Sequence, residues 1–184
     1  MGDRYRKRSA VAHPARAEKR TGYFPRMGHP APPLPDAIQK VLARFRAMGR
    51  EEKMQALVSY AKRLEPLPER FATLDRARFT VPECMTRVDL FPELRDGALH
   101  FYADVDVRQS PTIAAFLAIT FSAVNGQPPQ VTLAIPDDFV STMMAGLGLS
   151  AREVGLNAMV TRLKRHAREA LDGAARLPQI HSPM

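Results

Sequence analysis

Apolar residues recur at helical spacing from Ile38 through Val41, Leu42, Phe45 and Met48, until Gly49 marks a stop. A second helix is predicted with Met54, Leu57, Val58 and Ala61 on one face, ending before Pro66. The stretch Phe71 to Phe79 has no clear period and stands as a charged connection. The period then drops to two. Val88 and Leu90 alternate with Arg87 and Asp89, and Leu99, Phe101, Ala103 and Val105 alternate with Ala98, His100, Tyr102 and Asp104. With Pro92 and Asp96-Gly97 between them, these runs predict an antiparallel hairpin. A third strand is expected around Val131 to Ile135.

Ser110 before Pro111 supplies an N-cap and a first-turn proline. The helix they open buries Ile113, Phe116, Leu117 and Val124 and closes at Asn125-Gly126. A short helix is expected from Asp137 to Met144. The last helix starts at Ser150 and Glu153, read as a capping box, and buries Leu156, Met159, Val160, Leu163 and Leu171. Lys164, Arg165 and Arg168 lie toward its C-terminal end, where positive charge is favoured. The expected fold is α+β: helices packed on one small antiparallel sheet of about three strands.

Charge changes this picture only at one end. The 184 residues carry a formal net charge of +8, which suggests nucleic acid until it is located. Residues 1–33 hold eight basic side chains against Asp3 and Glu18, whereas the body is close to neutral. This segment is Pro- and Arg-rich without apolar periodicity, so it is expected to be a solvated, disordered extension. Residues 34–172 then form the folded domain and 173–184 a C-terminal tail. Phosphate binding through the basic segment is the weaker reading, as is an organelle transit peptide, since Ser9 is the segment's only serine. The longest apolar run, Ile113 to Ile119, is far below membrane length. The five histidines are dispersed without metal-ligand spacing.

Cys84 is the sole cysteine. An internal disulfide is therefore impossible, and a reducing cytoplasm is the expected setting. The residue follows Val81-Pro82-Glu83 on a loop that leads into the first strand. Its thiol is either an inert buried group or one that reacts alone. Asp104 and Asp106, at a strand end, are turn formers first and candidate bases second.

The run Gly49 to Glu69, with Glu51-Glu52-Lys53-Met54 and Leu64-Glu65-Pro66-Leu67-Pro68, resembles the opening helices of the SufE family. Val81-Pro82-Glu83-Cys84-Met85-Thr86-Arg87-Val88 is similar to that family's Val-x-Gly-Cys-x-Ser-x-Val segment, which carries its acceptor cysteine. Asp96 to Asp106 resembles the following hairpin strand, Ser122 to Pro129 a helix end with its turn, and Leu149 to Met159 the start of the last helix. The matches fall in order from about Leu34 to about Ala170. Glu83 replaces the family's usual glycine, and Asp89 stands where an aromatic residue is usual. Glycine before the cysteine suggests a backbone shape that a Cβ makes costly. A carboxylate there disfavours the thiolate, and Arg87 favours it.

This resemblance implies a persulfide carrier. Cys84 would accept sulfur from a cysteine desulfurase of the SufS type and pass it to an iron–sulfur scaffold protein. The pyridoxal phosphate belongs to the desulfurase, so no cofactor is expected in this chain. Asp106 would shape the cysteine loop or partner surface, and Arg152, matching an arginine before the last helix, would meet the partner or favour the thiolate. Two alternatives share the fold: a non-catalytic binding domain, for which Glu83 is the argument, and a carrier for another thiolation pathway. A protein acting on nucleic acid through its basic segment is a third.

Overall fold

A computed structural model describes residues 34–175. The proposed basic extension, residues 1–33, lies outside them, as does the tail beyond Ala175. Six helices and one hairpin follow in the order α1 (Asp36–Ala47), α2 (Arg50–Ala61), β1 (Asp89–Arg95), β2 (Ala98–Asp104), α3 (Pro111–Val124), α4 (Pro129–Leu133), α5 (Phe139–Met144) and α6 (Ser150–Ala175). The architecture is α+β, as expected.

The centre is α3. Eleven of its fourteen residues are buried, and its one buried hydroxyl, Thr120, bonds back to the Phe116 carbonyl at 2.8 Å. Helices α1 and α2 and strand β2 pack around it. A helix apolar on nearly every face can only be a core helix. The second helix differs from its expected face: Met54 and Val58 are 45% and 57% exposed, while Lys53, Ala56, Leu57 and Ala61 point inward. Lys53 explains the rotation. Its stem crosses the apolar layer and its ammonium donates to the Ala145 carbonyl at 2.9 Å, tying α2 to the segment between α5 and α6.

The expected antiparallel hairpin forms, with Leu90 opposite Ala103 and Leu94 opposite Leu99, and Pro92 lies within β1 opposite Phe101 rather than in the connection. Its two turn residues, Asp96 and Gly97, have φ of 48° and 77°, the left-handed pair that suits a tight hairpin. The connection before it is built from two single 3₁₀ turns, Glu69–Phe71 and Arg76–Arg78. Phe71 and Phe79 lie against Phe91 with ring centroids 5.3 and 4.7 Å away.

The third strand is not formed. Val131 to Leu133 belong to α4, because Pro128 and Pro129 set the backbone for a helical first turn and Val131 N–H returns to the Pro128 carbonyl. The edge of β2 is covered another way. Leu99 N–H donates to the Gln127 carbonyl, and Gly126 N–H to the Leu99 carbonyl. The Asn125 amide accepts from Phe101 N–H at 2.9 Å and donates to its carbonyl at 3.0 Å. Residues 125–127 thus satisfy a strand edge without extending the sheet.

Candidate functional site

Cys84 sits on a loop whose neck is closed by the first residues of β1. Val81 N–H donates to the Val88 carbonyl and Leu90 N–H to the Phe79 carbonyl, both at 2.9 Å. The buried Asp89 carboxylate adds side-chain ties. It accepts from Thr80 Oγ1 at 2.5 Å, Arg76 at 3.2 Å and Arg87 at 3.4 Å. Arg76 also pairs with Asp104 on β2, and both acids hold its guanidinium protonated. In place of an aromatic side chain, position 89 carries an ionic clamp that joins both ends of the loop to the hairpin.

Within the loop, Val81-Pro82-Glu83-Cys84 is a β-turn, with Cys84 N–H donating to the Val81 carbonyl at 3.2 Å. Proline is favoured at its second position. Among the described residues only Asp96 is a non-glycine residue with positive φ. Glu83 therefore occupies ordinary backbone, and its Cβ carries none of the strain expected from losing glycine. Its side chain is exposed. It borders a groove on α6 lined by Val154, Ala158, Thr161, Arg162 and Arg165.

Cys84 is half-buried and packs against the apolar core. Its seat is Gly155 on α6. A Cβ added to Gly155 would meet Cys84 Cα and Sγ at 3.3 Å, so glycine is what lets the loop approach the helix this closely. Sequence reading placed Gly155 in a family match without assigning it this role; the contact spans the whole hairpin and α3 through α5. The largest exposed apolar side chains nearby are Met85 and Val154, next in sequence to Cys84 and Gly155. Cys84 is thus half-buried, while the residues beside it and beside Gly155 in the sequence, Met85 and Val154, face solvent.

The other site residues predicted from sequence are distributed around this loop. Arg87 is largely exposed and its guanidinium is engaged by Asp89. Asp106 is a turn former: its carboxylate accepts from Arg108 N–H at 2.9 Å and Gln109 N–H at 3.1 Å. Its carbonyl accepts Ser110 N–H, which sets the entry to α3. Arg152 is exposed in the first turn of α6, one turn before Gly155. Ser150 is already helical, and among the described residues no side-chain bond joins it to Glu153, so the expected capping box is not made. Ser110 occupies the expected N-cap position of α3, but its hydroxyl makes no cap bond. It donates to Thr86 Oγ1 in the cysteine loop at 3.0 Å instead.

Among the described residues no cluster of His, Cys, Asp or Glu is arranged to hold a metal ion, and no helix is long and apolar enough to cross a membrane.

Residues 36–167 match the family model described as SufE, Fe-S metabolism associated domain. The chain belongs to the SufE family. A SufE-like protein of Mycobacterium tuberculosis, described as uncharacterized and found in strains CDC 1551 / Oshkosh and ATCC 25618 / H37Rv, is 32% identical over 141 residues, covering 74% of this chain and 95% of the relative. A hypothetical protein from Thermus thermophilus, solved in solution, superposes with a TM-score of 0.63 at 25% identity, over 76% of this chain and 98% of that one. Family membership links this SufE domain to Fe–S metabolism and makes the recessed loop thiol the centre of interest.

Proposed function

We propose that this SufE-family chain accepts sulfur on Cys84 from the persulfide of a cysteine desulfurase and passes it on for iron–sulfur cluster assembly. The observation that carries the reading is the seat of the thiol: the sole cysteine is recessed against Gly155, on a loop tied mainly at its neck. A carrier has to protect its sulfur between partners and present it during transfer, and such a loop suits both demands.

The chemistry is thiol exchange. The Cys84 thiolate attacks the outer sulfur of the partner's Cys–S–SH group. A new S–S bond forms at Cys84 as the partner's S–S bond breaks, and the partner cysteine leaves as a thiolate. The exchange is redox-neutral and needs no cofactor on this chain. Onward transfer repeats the same redox-neutral exchange with an acceptor thiol, such as one on a cluster scaffold. The ordinary backbone at Glu83 answers the steric half of the argument for a purely binding role.

The test is desulfurase turnover, followed as alanine release, with wild-type or Cys84→Ser protein added. Intact-protein mass is read alongside. Stimulation and a dithiothreitol-reversible gain of sulfur mass by wild type, with neither in Cys84→Ser, are expected. Equal stimulation by both proteins, without mass gain, overturns the carrier reading and leaves a binding partner.

A further inference from the structure

Ser110 is the residue type that caps helices best, at the position where caps act, yet its hydroxyl is spent elsewhere. It is only 2% exposed and donates to Thr86, two residues after Cys84. Pro111 at the first helical position has no amide to satisfy, so the amides within reach of a Ser110 cap are those of Thr112 and Ile113. The loop's remaining side-chain ties, through Thr80 and Arg87 to Asp89, are all at its neck. The Ser110–Thr86 bond is the one that holds the limb beyond the cysteine down onto the body.

We propose that the Ser110 hydroxyl is an exchangeable latch that positions Cys84. With the loop tucked it bonds to Thr86; when the loop swings out it turns to the open amides at the start of α3. Opening would otherwise strand a buried hydroxyl, which is costly. A waiting second set of partners offsets most of that loss, so the tucked and presented positions of Cys84 stay close in free energy. Ser110 is a positioning residue and touches no reacting atom. The consequence for sulfur transfer rests on the carrier reading above; the exchange of partners does not.

The experiment compares wild type, Ser110→Ala, Thr86→Ala, the double variant and Ser110→Thr. Iodoacetamide alkylation of Cys84 is followed across the titration of the thiol, and thermal unfolding is measured in parallel. Either single alanine variant removes the exchange, so both alkylate faster by a similar small factor, at most about threefold, because the cap had already offset most of one net hydrogen bond. The apparent pKa of the thiol does not move, because opening rather than ionisation has changed. Thermal stability separates the two. Thr86→Ala leaves the Ser110 hydroxyl free to cap α3 and loses little Tm, whereas Ser110→Ala loses both arrangements and falls further. The double variant matches Ser110→Ala in both readouts, and Ser110→Thr, which keeps the hydroxyl, stays near wild type.

Alkylation accelerated well beyond about threefold in both single variants, the full effect of one net hydrogen bond, overturns the latch, because the α3 amides then offset nothing. So does an equal Tm loss in both, the mark of a static tether, or a shifted thiol pKa that accounts for the rate. Thr86 lies on the loop, outside the core, so that arm stands even if Ser110→Ala folds poorly. No desulfurase enters these measurements. A wild type that takes no sulfur but shows the alkylation and Tm pattern therefore defeats the carrier reading alone, and the reverse result defeats the latch alone.

Discussion

Gly155→Ala sets two effects of known sign against each other. In the interior of α6, alanine is favoured over glycine by about 1 kcal/mol. Against that, the new methyl would lie 3.3 Å from Cys84 Cα and Sγ and 3.4 Å from its Cβ, inside the optimal separation of about 3.5–4.0 Å for carbon pairs. One of the three atoms is backbone, so a rotamer change at Cys84 does not relieve the clash; the loop has to lift. Overpacking of this kind costs about 1–3 kcal/mol, leaving a net loss of about 0–2 kcal/mol, or a few degrees of Tm. Gly173, on the same helix, has nothing within 4 Å of its ideal Cβ. Gly173→Ala therefore reports the helix-propensity gain without the crowding. The assay is thermal or urea unfolding of both variants, with Cys84 alkylation on each. Gly155→Ala should fall below Gly173→Ala by about 1–3 kcal/mol and alkylate faster than wild type, because the lifted loop exposes sulfur. Equal stabilisation by both, with unchanged alkylation, would refute the reasoning: the loop would then have no close seat on α6.

Glu83→Gly should speed alkylation of Cys84 near neutral pH, since it removes a carboxylate beside the thiol; an equal or slower rate would show that another group governs the sulfur. Asp89→Ala strips one acceptor from Thr80, Arg76 and Arg87 and should cost about 1–3 kcal/mol in urea unfolding, Arg76 keeping Asp104; a loss no larger than that of an exposed-surface change would count against the clamp. His166 is 5% exposed with Nε2 unpartnered, and burial holds its pKa below the ordinary 6.5 despite the Glu169 bond at Nδ1. The unfolded chain therefore binds the proton first as pH falls, so this contribution is complete above that value and is lost on acidification below it. His166→Leu should flatten the decline of Tm on moderate acidification, and an unchanged slope would rule His166 out as its source.

The fold was legible where one period held over a whole element. Strand β2 alternates cleanly because one of its faces meets α3, and the Asp96-Gly97 turn is written in the sequence; β1 does not alternate, since Asp89, Leu90 and Phe91 are all buried. Residues 131–133 misled because Val-Thr-Leu reads as a strand, while the deciding signal was the Pro128-Pro129 pair before it. In α2 the apolar face was placed on Met54 and Val58, whereas Lys53 turns inward through a bond to Ala145, far away in sequence. The same limit applies at the site. Cys84 and its loop could be singled out from the chain, but not Gly155 as its seat or Thr86 as the partner of Ser110, because both contacts cross several elements. Ser110 was read as a cap because local chemistry favours one; a tertiary acceptor took its hydroxyl.

The burial of α3 on almost every side also constrains how the chain can fold as it is made. Helices α1 and α2 and the hairpin are synthesised before α3, yet α3 is the surface on which they rest. Until residues 111–124 emerge, those earlier elements have no shared core and expose apolar faces that only this helix can cover. The cysteine loop, although translated in the first half, acquires its seat later still, when Gly155 follows. An incomplete chain therefore carries its thiol exposed, and only the nearly finished protein shelters it.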